Sequence, residues 1–382
     1  MVRTALFLFA AATFLGSALI SNTYGLVQPA VRAELGLSAT LGGAIFSLYA
    51  ACFAAGSRSV GALAERLTAP ALLRAGLALS LAGHLVMLLP RGPAGVAAGF
   101  ALIGVGMGWA MATVSALVTT RFAERRSQAL SVLEIAFSAG AIATPAIVAA
   151  LGGWREPYAL SAAAVAGLLL WSAPPATLRA PAPSSAEADG SVPTDAPAAS
   201  SDTSARMRLG LLVCFLAAGV EWGGSVWLPS FVRAGGASAE EAALAMSLLW
   251  AGFLASRLLG AILFARADID RTLVAAAAIA ALGAATVTLA DARATLLGGA
   301  LLLGLGTGCL FPGVLGRLVD LDPARAAAVT GTALALTAIA GIALPLALGA
   351  LADLVGTRAA ALVLPLTALA TAIALGALAR SG

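Results

Sequence analysis

The stretch SRSVGALAERLTAP, residues 57–70, carries the pattern that decides the fold. It closes an apolar run over residues 38–63, supplies a short charged connection and opens a second apolar run over residues 70–90. A helix of about 20 apolar residues is long enough to cross a hydrocarbon core of about 30 Å. The stretch therefore predicts two membrane-spanning helices joined as a tight hairpin.

The same pattern recurs from one end of the chain to the other. Of the 382 residues, 60% are hydrophobic and 10% are charged, and the mean hydropathy is +0.98, which is far from the balance of a soluble domain. We predict an all-α membrane protein with twelve spans, over residues 4–28, 38–63, 70–90, 94–120, 128–152, 157–177, 209–232, 241–264, 271–290, 294–318, 325–352 and 358–379.

The distribution of arginine predicts the orientation of these spans. The net charge is +4, but the basic residues are all arginines and are spread over short loops, which does not indicate a nucleic-acid partner. With the N-terminus inside, the inside loops and tails hold 14 arginines and the outside loops hold 6. Because basic residues concentrate in cytoplasmic loops, we expect both termini in the cytoplasm and the chain in the cell membrane.

Composition and internal similarity divide the chain into two halves. Residues 179–208, rich in Pro, Ala, Ser and Asp, are predicted to be a disordered cytoplasmic linker between an N-terminal six-helix bundle, residues 1–178, and a C-terminal one, residues 209–382. Three features recur at a spacing of 199 or 200 residues: SRSVGA at 57–62 with SRLLGA at 256–261, GVGMG at 104–108 with GLGTG at 304–308, and Pro145 with Pro345. Secondary transporters are commonly built from such repeats, with the solute site between them.

The six-plus-six arrangement, the linker and the loop after span 2 resemble the major facilitator superfamily over essentially the whole chain. The loop signature of that family is Gly-x-x-x-Asp-Arg-x-Gly-Arg-Arg. Here the loop reads GALAERLTAP: Gly61 and Arg66 match, Glu65 takes the place of the aspartate, and Thr68 and Pro70 depart from the signature. The resemblance implies the major facilitator fold and a charge latch at this loop.

Two arginines stand at equivalent places in the repeats, Arg58 near the end of span 2 and Arg257 near the end of span 8. We expect them to serve as latch residues at helix ends. Binding of an anionic solute is the alternative.

A narrower resemblance points to the branch that contains fucose permease and related sugar–proton symporters. It rests on LSVLEIAFSAGAIATP in span 5, GVEWGGSVWLP in span 7 and SRLLGA in span 8. That branch carries acidic residues on spans 1 and 4 for proton coupling and sugar binding, and Asn22 and Trp109 occupy those places here. In span 5, Gly140 and Pro145 also resemble a drug–proton antiporter signature, with Thr144 in place of its second glycine.

Two carboxylates lie well inside predicted spans. Glu221 is near the middle of span 7, and Glu134 lies several residues into span 5. A charged side chain at the bilayer centre costs at least ~2.5–3.5 kcal/mol unless it finds a partner, water or a proton. Because desolvation raises the pKa of a carboxylate, we expect one or both of these residues to bind the solute and carry a proton. An internal ion pair or hydrogen bond is the alternative.

Polar and aromatic side chains are predicted to complete the site. Thr337 shares a helical stripe with Thr330 and Gly341, although close helix packing would explain that stripe equally well. The predicted proton-coupling or solute-binding residues are Glu134, Glu221, Asn22, Trp109, Trp222, Gln28 and Thr337.

These observations predict a secondary transporter that moves a small polar solute by alternating access, through proton-coupled uptake with sugars as one solute class. Proton-driven efflux of a drug or metabolite is the alternative. A lone histidine, His84, cannot build a metal site, and no cofactor is expected. No nucleophile–base–acid set supports an enzyme. The expected partners are the solute, protons and the lipid bilayer, and the expected state is a monomer.

Overall fold

The computed structural model describes residues 2–89, 92–172, 201–289 and 292–380, and the regular structure in these ranges is entirely helical. Eleven helical segments are long and apolar enough to cross a membrane, and one shorter apolar helix lies among them. The predicted all-α architecture of twelve membrane helices is therefore confirmed. The chain divides into two compact units, Met1–Ser184 and Ser185–Gly382.

The described part of the first unit contains six long helices. Hydroxyl caps begin two of them: the Ser38 hydroxyl accepts the amide of Leu41 at 3.1 Å, and the Thr68 hydroxyl accepts that of Ala71 at 3.4 Å. The helices are α1 (Val2–Leu35), α2 (Ala39–Ala64), α3 (Ala69–Leu88), α4 (Pro93–Arg121), α5 (Arg126–Leu151) and α6 (Glu156–Trp171). α1 packs against α5, α4 packs against both α2 and α3, and α6 packs against α3.

The second unit repeats this packing. Its helices are α7 (Ser201–Ala234), α8 (Ala239–Leu263), α9 (Ile269–Leu289), α10 (Arg293–Thr307), α11 (Leu310–Leu321), α12 (Ala326–Val355), α13 (Thr357–Ala360) and α14 (Val363–Arg380). α7 packs against α12, α10 packs against both α8 and α9, and α14 packs against α9. The same pairs of spans meet in both units, as an internal duplication predicts.

The glycine motif of the first unit brings helix backbones into contact. A Cβ atom added to Gly104 would lie 2.6 Å from the carbonyl oxygen of Tyr49 on α2. One added to Gly106 would lie 2.5 Å from the carbonyl oxygen of Gly76 on α3. Successive glycines of the motif therefore face different neighbours, and α4 can approach both of them closely only because these positions lack a side chain.

The equivalent motif of the second unit has the same geometry. A Cβ atom on Gly304 would overlap the backbone of Leu249 on α8, and one on Gly306 would lie 2.5 Å from the carbonyl oxygen of Ala276 on α9. Both motifs thus pack three helices together.

The tenth span differs from its prediction because it consists of two helices. The sequence predicts one run over residues 294–318, but α10 ends at Thr307 and α11 begins at Leu310. Pro312 has no amide hydrogen to continue the helical hydrogen-bond ladder. The amide of Cys309 donates instead to the hydroxyl of Ser256 on α8, at 3.0 Å. We refer to residues 308–309 as the span-ten break.

The seventh span begins earlier than predicted. α7 starts at Ser201, so residues 201–208, predicted as part of the linker, are helical. This segment contains Ala, Met and Arg, which are good helix formers, directly before an apolar span. The rest of the predicted linker, residues 179–200, lies outside the described residues.

Candidate functional site

Glu221 lines a small, partly open pocket of the second unit, which we call the Glu221 cavity. It lies between α7, α8 and α10 and has a volume of about 10 Å³. One water molecule needs roughly 10–15 Å³ of such space. Ser225 and Thr307 add hydroxyl groups to the lining, whereas Leu249 and Phe253 belong to its apolar part. The half-buried glutamate therefore borders a water-sized space in a mostly apolar wall.

The two hydroxyl groups of the cavity donate their hydrogen bonds to main-chain carbonyls. Ser225 donates to the main-chain carbonyl of Glu221 at 2.7 Å, and Thr307 donates to that of Leu303 at 2.7 Å. Each hydroxyl oxygen then has only lone pairs left to offer. Because an ionised carboxylate is also purely an acceptor, the polar groups of these three residues are complementary to a donor, such as water, an acidic proton or an N–H or O–H group of a solute.

The span-ten break adjoins the Glu221 cavity, since Thr307 is the last residue of α10. Interrupted helices mark solute and ion sites in transporters, because unwound backbone is tolerated where it lines a cavity. Sequence reasoning missed Ser225 and Thr307 as site residues. The available signal was that GLGTG has a threonine where GVGMG has Met107, shortly before Pro312.

Trp222, the neighbour of Glu221, points toward α12. A Cβ atom added to Gly341 would lie 3.2 Å from the indole nitrogen of Trp222. Thr337 lies one turn earlier on α12, and its hydroxyl donates to the carbonyl of Ala333 at 3.0 Å. The structure brings Trp222 and Gly341 together, and a solute-binding role for Trp222 and Thr337 stays a prediction.

Glu134 has a different setting from Glu221. Its side chain is exposed on α5, next to Val132 and Ile135, which are 45% and 42% exposed. The hydroxyl of Ser138 donates to the main-chain carbonyl of Glu134 at 2.9 Å. Glu134 and Glu221 belong to different units, and their convergence on one solute site stays a prediction.

Three predicted site residues make contacts inside the first unit. The side-chain amide of Asn22, which is buried, donates to a main-chain carbonyl one turn earlier on α1, at 2.9 Å. The indole of Trp109 donates to the hydroxyl of Ser59 on α2, at 2.9 Å. Gln28 is fully buried, with its amide nitrogen 3.0 Å from a Cβ added to Gly42. The two hydrogen bonds give Asn22 and Trp109 a structural role beside the one predicted, and Gln28 lies against Gly42 of α2.

The predicted latch residues lie at the end of α2. Gly61, Glu65 and Arg66 are all exposed. A Cβ atom on Gly61 would meet nothing within 4 Å, so close helix packing is not the reason for a glycine there. At the equivalent Gly260, an added Cβ would lie 2.7 Å from the Cβ of Cys309, so packing does require glycine in the second unit.

The charged residues near the other helix ends also differ between the units. Arg58 is exposed, whereas the half-buried Arg257 places its guanidinium 4.6 Å from the ring centroid of Phe253. In the second unit, Arg317 of α11 donates to both carboxylate oxygens of Asp270 at the start of α9, each at 2.7 Å. Sequence reasoning missed this pair because its members are far apart in the chain.

The antiporter-like residues of α5 have packing roles. A Cβ atom on Gly140 would lie 2.6 Å from the carbonyl oxygen of Leu15 on α1. The buried hydroxyl of Thr144 donates to the carbonyl of Gly140 at 2.7 Å. Contact between α1 and α5 therefore gives the glycine of this pattern a packing role, and a role in efflux stays a prediction.

The chain is similar to known transport proteins over nearly its whole length. The family model described as Major Facilitator Superfamily matches residues 6–345. Solved structures with a similar fold include the nucleoside transporter NupG, at 14% identity and a TM-score of 0.78, with 99% of this chain and 98% of that chain covered. A variant of the peptide transporter POT has 19% identity and a TM-score of 0.77, with 99% and 94% covered.

A third similar structure is a bacterial homologue of the human lysosomal transporter Spinster, in an inward-facing and occupied conformation. It has 14% identity and a TM-score of 0.79, with 100% of this chain and 97% of that chain covered. At these identities the likeness shows the fold alone. None of the curated proteins compared with the chain matches it significantly.

Proposed function

The chain belongs to the Major Facilitator Superfamily, and we propose that it takes up a small polar solute together with protons by alternating access. Membership makes the chain a multi-pass membrane transporter of a small-molecule solute, not an enzyme. The observation that supports proton coupling most strongly is the position of Glu221 in a water-sized cavity beside the span-ten break.

Proton binding at Glu221 follows from the chemistry of that cavity. The Ser225 and Thr307 hydroxyls in the cavity wall have committed their protons to the backbone, so they offer lone pairs to Glu221, and a protonated carboxyl group can use those lone pairs whereas an ionised one cannot. Protonation removes the charge, whose cost at the membrane centre is at least ~2.5–3.5 kcal/mol. In our proposal the proton binds when the site is open to the side of higher proton concentration, and it leaves after the units have rocked.

The remaining predicted residues have supporting roles in this proposal. Glu134 is exposed within a span, which is consistent with access to water, because a lipid-facing carboxylate would be costly. Solute contacts are assigned to Asn22, Gln28, Trp109, Trp222 and Thr337, and the latch to Gly61, Glu65, Arg66, Arg58 and Arg257. We further propose a monomer in the cell membrane with both termini in the cytoplasm, which the arginine distribution favours.

The solute is best sought among small polar molecules. Sugars come first, because of the sequence resemblance to sugar–proton symporters. Nucleosides and peptides join them, because two structurally similar proteins are described as transporters of those compounds. Efflux of a drug or metabolite is the alternative, favoured by the partial antiporter signature of α5, in which Gly140 also has a packing role.

Uptake by purified protein in proteoliposomes tests the proposal. A panel of labelled sugars, nucleosides, dipeptides, organic acids and cations is offered with and without an inward proton gradient. We expect accumulation of one polar class that depends on the gradient and that is lost in Glu221→Gln. Accumulation that ignores the gradient would refute proton coupling. Outward movement driven by counterflowing protons would establish efflux instead.

A further inference from the structure

We propose that the second unit binds one anionic phospholipid in a groove between α8 and α9. The groove has a volume of about 360 Å³, which lies within the range of small-ligand sites, ~300–1,000 Å³. Its walls include the apolar side chains Leu259, Leu263, Ala275 and Ile279. Leu259 and Leu263 are 48% and 43% exposed, so the groove opens on the surface of the unit.

The polar groups in the groove wall are already bonded within the protein. The Ser256 hydroxyl accepts the amide of Cys309 at 3.0 Å, and the Thr272 hydroxyl donates to the carbonyl of Asp268 at 2.7 Å. What the wall offers to an occupant is therefore mainly apolar surface, with the charge of Arg271 in addition. A hydrocarbon chain with an anionic group at one end matches this surface.

The length of the groove fits an acyl chain of one leaflet. On α9 the lining extends from Arg271 to Ile279, which is about 12 Å along a helix axis. Half of a hydrocarbon core of about 30 Å is about 15 Å. Because Arg271 lies in the first turn of α9, the groove begins at the membrane boundary and ends near the midplane.

The charges at the mouth of the groove favour a phosphate. Arg317 forms a bidentate ion pair with Asp270, which neutralises the charge of that carboxylate. Asp268 accepts the main-chain amide of Arg271 at 2.9 Å as a helix cap. Asp268 and Asp320 also lie near Arg317, so the three arginines and three aspartates around the mouth balance, and the positive charge in the described groove lining is that of the exposed Arg271. Arginine binds phosphate oxygens through charge-assisted hydrogen bonds, so the lipid head group is placed at Arg271.

The bound lipid would also contact the span-ten break. Leu305 and Cys309 line the groove, while Thr307, between them, lines the Glu221 cavity. The break thus separates the lipid groove from the cavity assigned to the proton.

Native mass spectrometry of the full chain in detergent tests this site. The protein is titrated with phosphatidylglycerol or, as the zwitterionic comparison, phosphatidylcholine, and retained lipids are counted. We expect one phosphatidylglycerol held more tightly than phosphatidylcholine. Arg271→Gln keeps the backbone cap and should weaken phosphatidylglycerol binding about tenfold. Arg380→Gln, at the exposed end of α14, is the matched control and should not weaken it.

A second pair of variants tests the groove itself. Ala275→Trp fills the groove, whereas Ala278→Trp adds the same ring at an exposed position of the same helix outside the lining. Only the first should abolish lipid retention, and Ala275→Leu replaces it if the tryptophan variant does not fold. Undiminished binding in a folded groove-filling variant overturns the proposal. Equal retention of both lipids overturns it, as does a dimer that groove filling disrupts, since a second copy would then occupy the groove.

Discussion

The two halves of the chain share the backbone contacts that set helix spacing but differ in the polar residues placed on that scaffold. Gly106 contacts the backbone of α3 in the first unit, and Gly306 contacts that of α9 in the second. Glu221 of α7, by contrast, corresponds to Ser21 of α1 at the repeat spacing of 200, and Glu134 of α5 corresponds to Leu334 of α12. The two glutamates within the spans are therefore not repeated in the equivalent helices of the other half.

The interface between α3 and α6 also differs from its counterpart between α9 and α14. In the first unit His84 and Ser80 of α3 are buried, and His84 Nδ1 lies 2.7 Å from the carbonyl of Ser80, whose backbone faces Gly106 of α4. The ring of Tyr158 on α6 is 6.4 Å from that of His84. The second unit has the buried alanines Ala280 and Ala284 at the equivalent positions of α9. The first unit thus has buried polar side chains at two positions of α3 where the second unit has buried alanines on α9.

The third difference is the continuity of the glycine-bearing span. α4 is unbroken over Pro93–Arg121, and the hydroxyl of Ser57 donates to the carbonyl of Gly108 at 3.3 Å. In the second unit the equivalent Ser256 accepts an amide freed by the span-ten break, at 3.0 Å. The same serine thus supports an intact helix in one unit and a break beside the Glu221 cavity in the other.

Substitution of the middle glycines should give the largest effect and should be equal in the two halves. Gly106→Val and Gly306→Val each force a side chain into a neighbouring backbone, which we expect to destabilise the fold by about 3 kcal/mol or more. Thermal unfolding in detergent measures this. Gly167→Val and Gly298→Val, where an added Cβ meets nothing within 4 Å, are the controls. If either Gly106→Val or Gly306→Val unfolded at the wild-type temperature, the claim that both units depend on the same backbone contact would be wrong.

Substitution of the paired serines should give an intermediate and unequal effect. Ser256→Ala leaves the amide of Cys309, a buried residue, without its partner, which costs about 1–3 kcal/mol. Ser57→Ala removes a long hydrogen bond to a carbonyl within a continuous helix and should cost about 0.5 kcal/mol. Unfolding temperatures of the two variants provide the comparison. Equal losses of stability in the two variants would show that the hydrogen bond from Cys309 to Ser256 does not stabilise the span-ten break.

Replacement of Ser80 by the alanine of the other half should give the smallest effect. The Ser80 hydroxyl is buried, and within the described part of the protein it has no hydrogen-bond partner. Ser80→Ala removes a buried hydroxyl that makes no hydrogen bond among the described residues. We therefore expect the free energy of unfolding to rise by no more than about 1 kcal/mol relative to the wild type. A clear loss of stability in the unfolding scan would indicate that an ordered water or another partner binds this hydroxyl.

Hydropathy predicted the fold well because lipid imposes a length rule on every span. The predicted run over 38–63 became Ala39–Ala64, and that over 70–90 became Ala69–Leu88. The same length rule does not detect interruptions of the helical backbone, because apolar residues continue through the span-ten break. It also misplaced the start of α7, since helix propensity carries a helix beyond the apolar region.

The candidate site was only partly predictable for a related reason. Hydropathy identifies Glu221 and Glu134 as carboxylates inside spans but does not say which surroundings each helix face meets. The Glu221 cavity depends on three helices and on the position of Thr307 at the end of α10. A one-dimensional pattern contains none of these distances, so the difference between a cavity-lining and an exposed glutamate needed the structure.

The most direct test of the central claim separates solute exchange from proton-driven accumulation in proteoliposomes. If Glu221 carries the coupled proton, Glu221→Gln should still exchange labelled for unlabelled solute across the membrane, because a neutral side chain occupies the cavity. It should fail to accumulate solute under an inward proton gradient at any pH, while the first-unit variant Glu134→Gln loses less. Gradient-driven accumulation by Glu221→Gln at the wild-type rate would contradict the account.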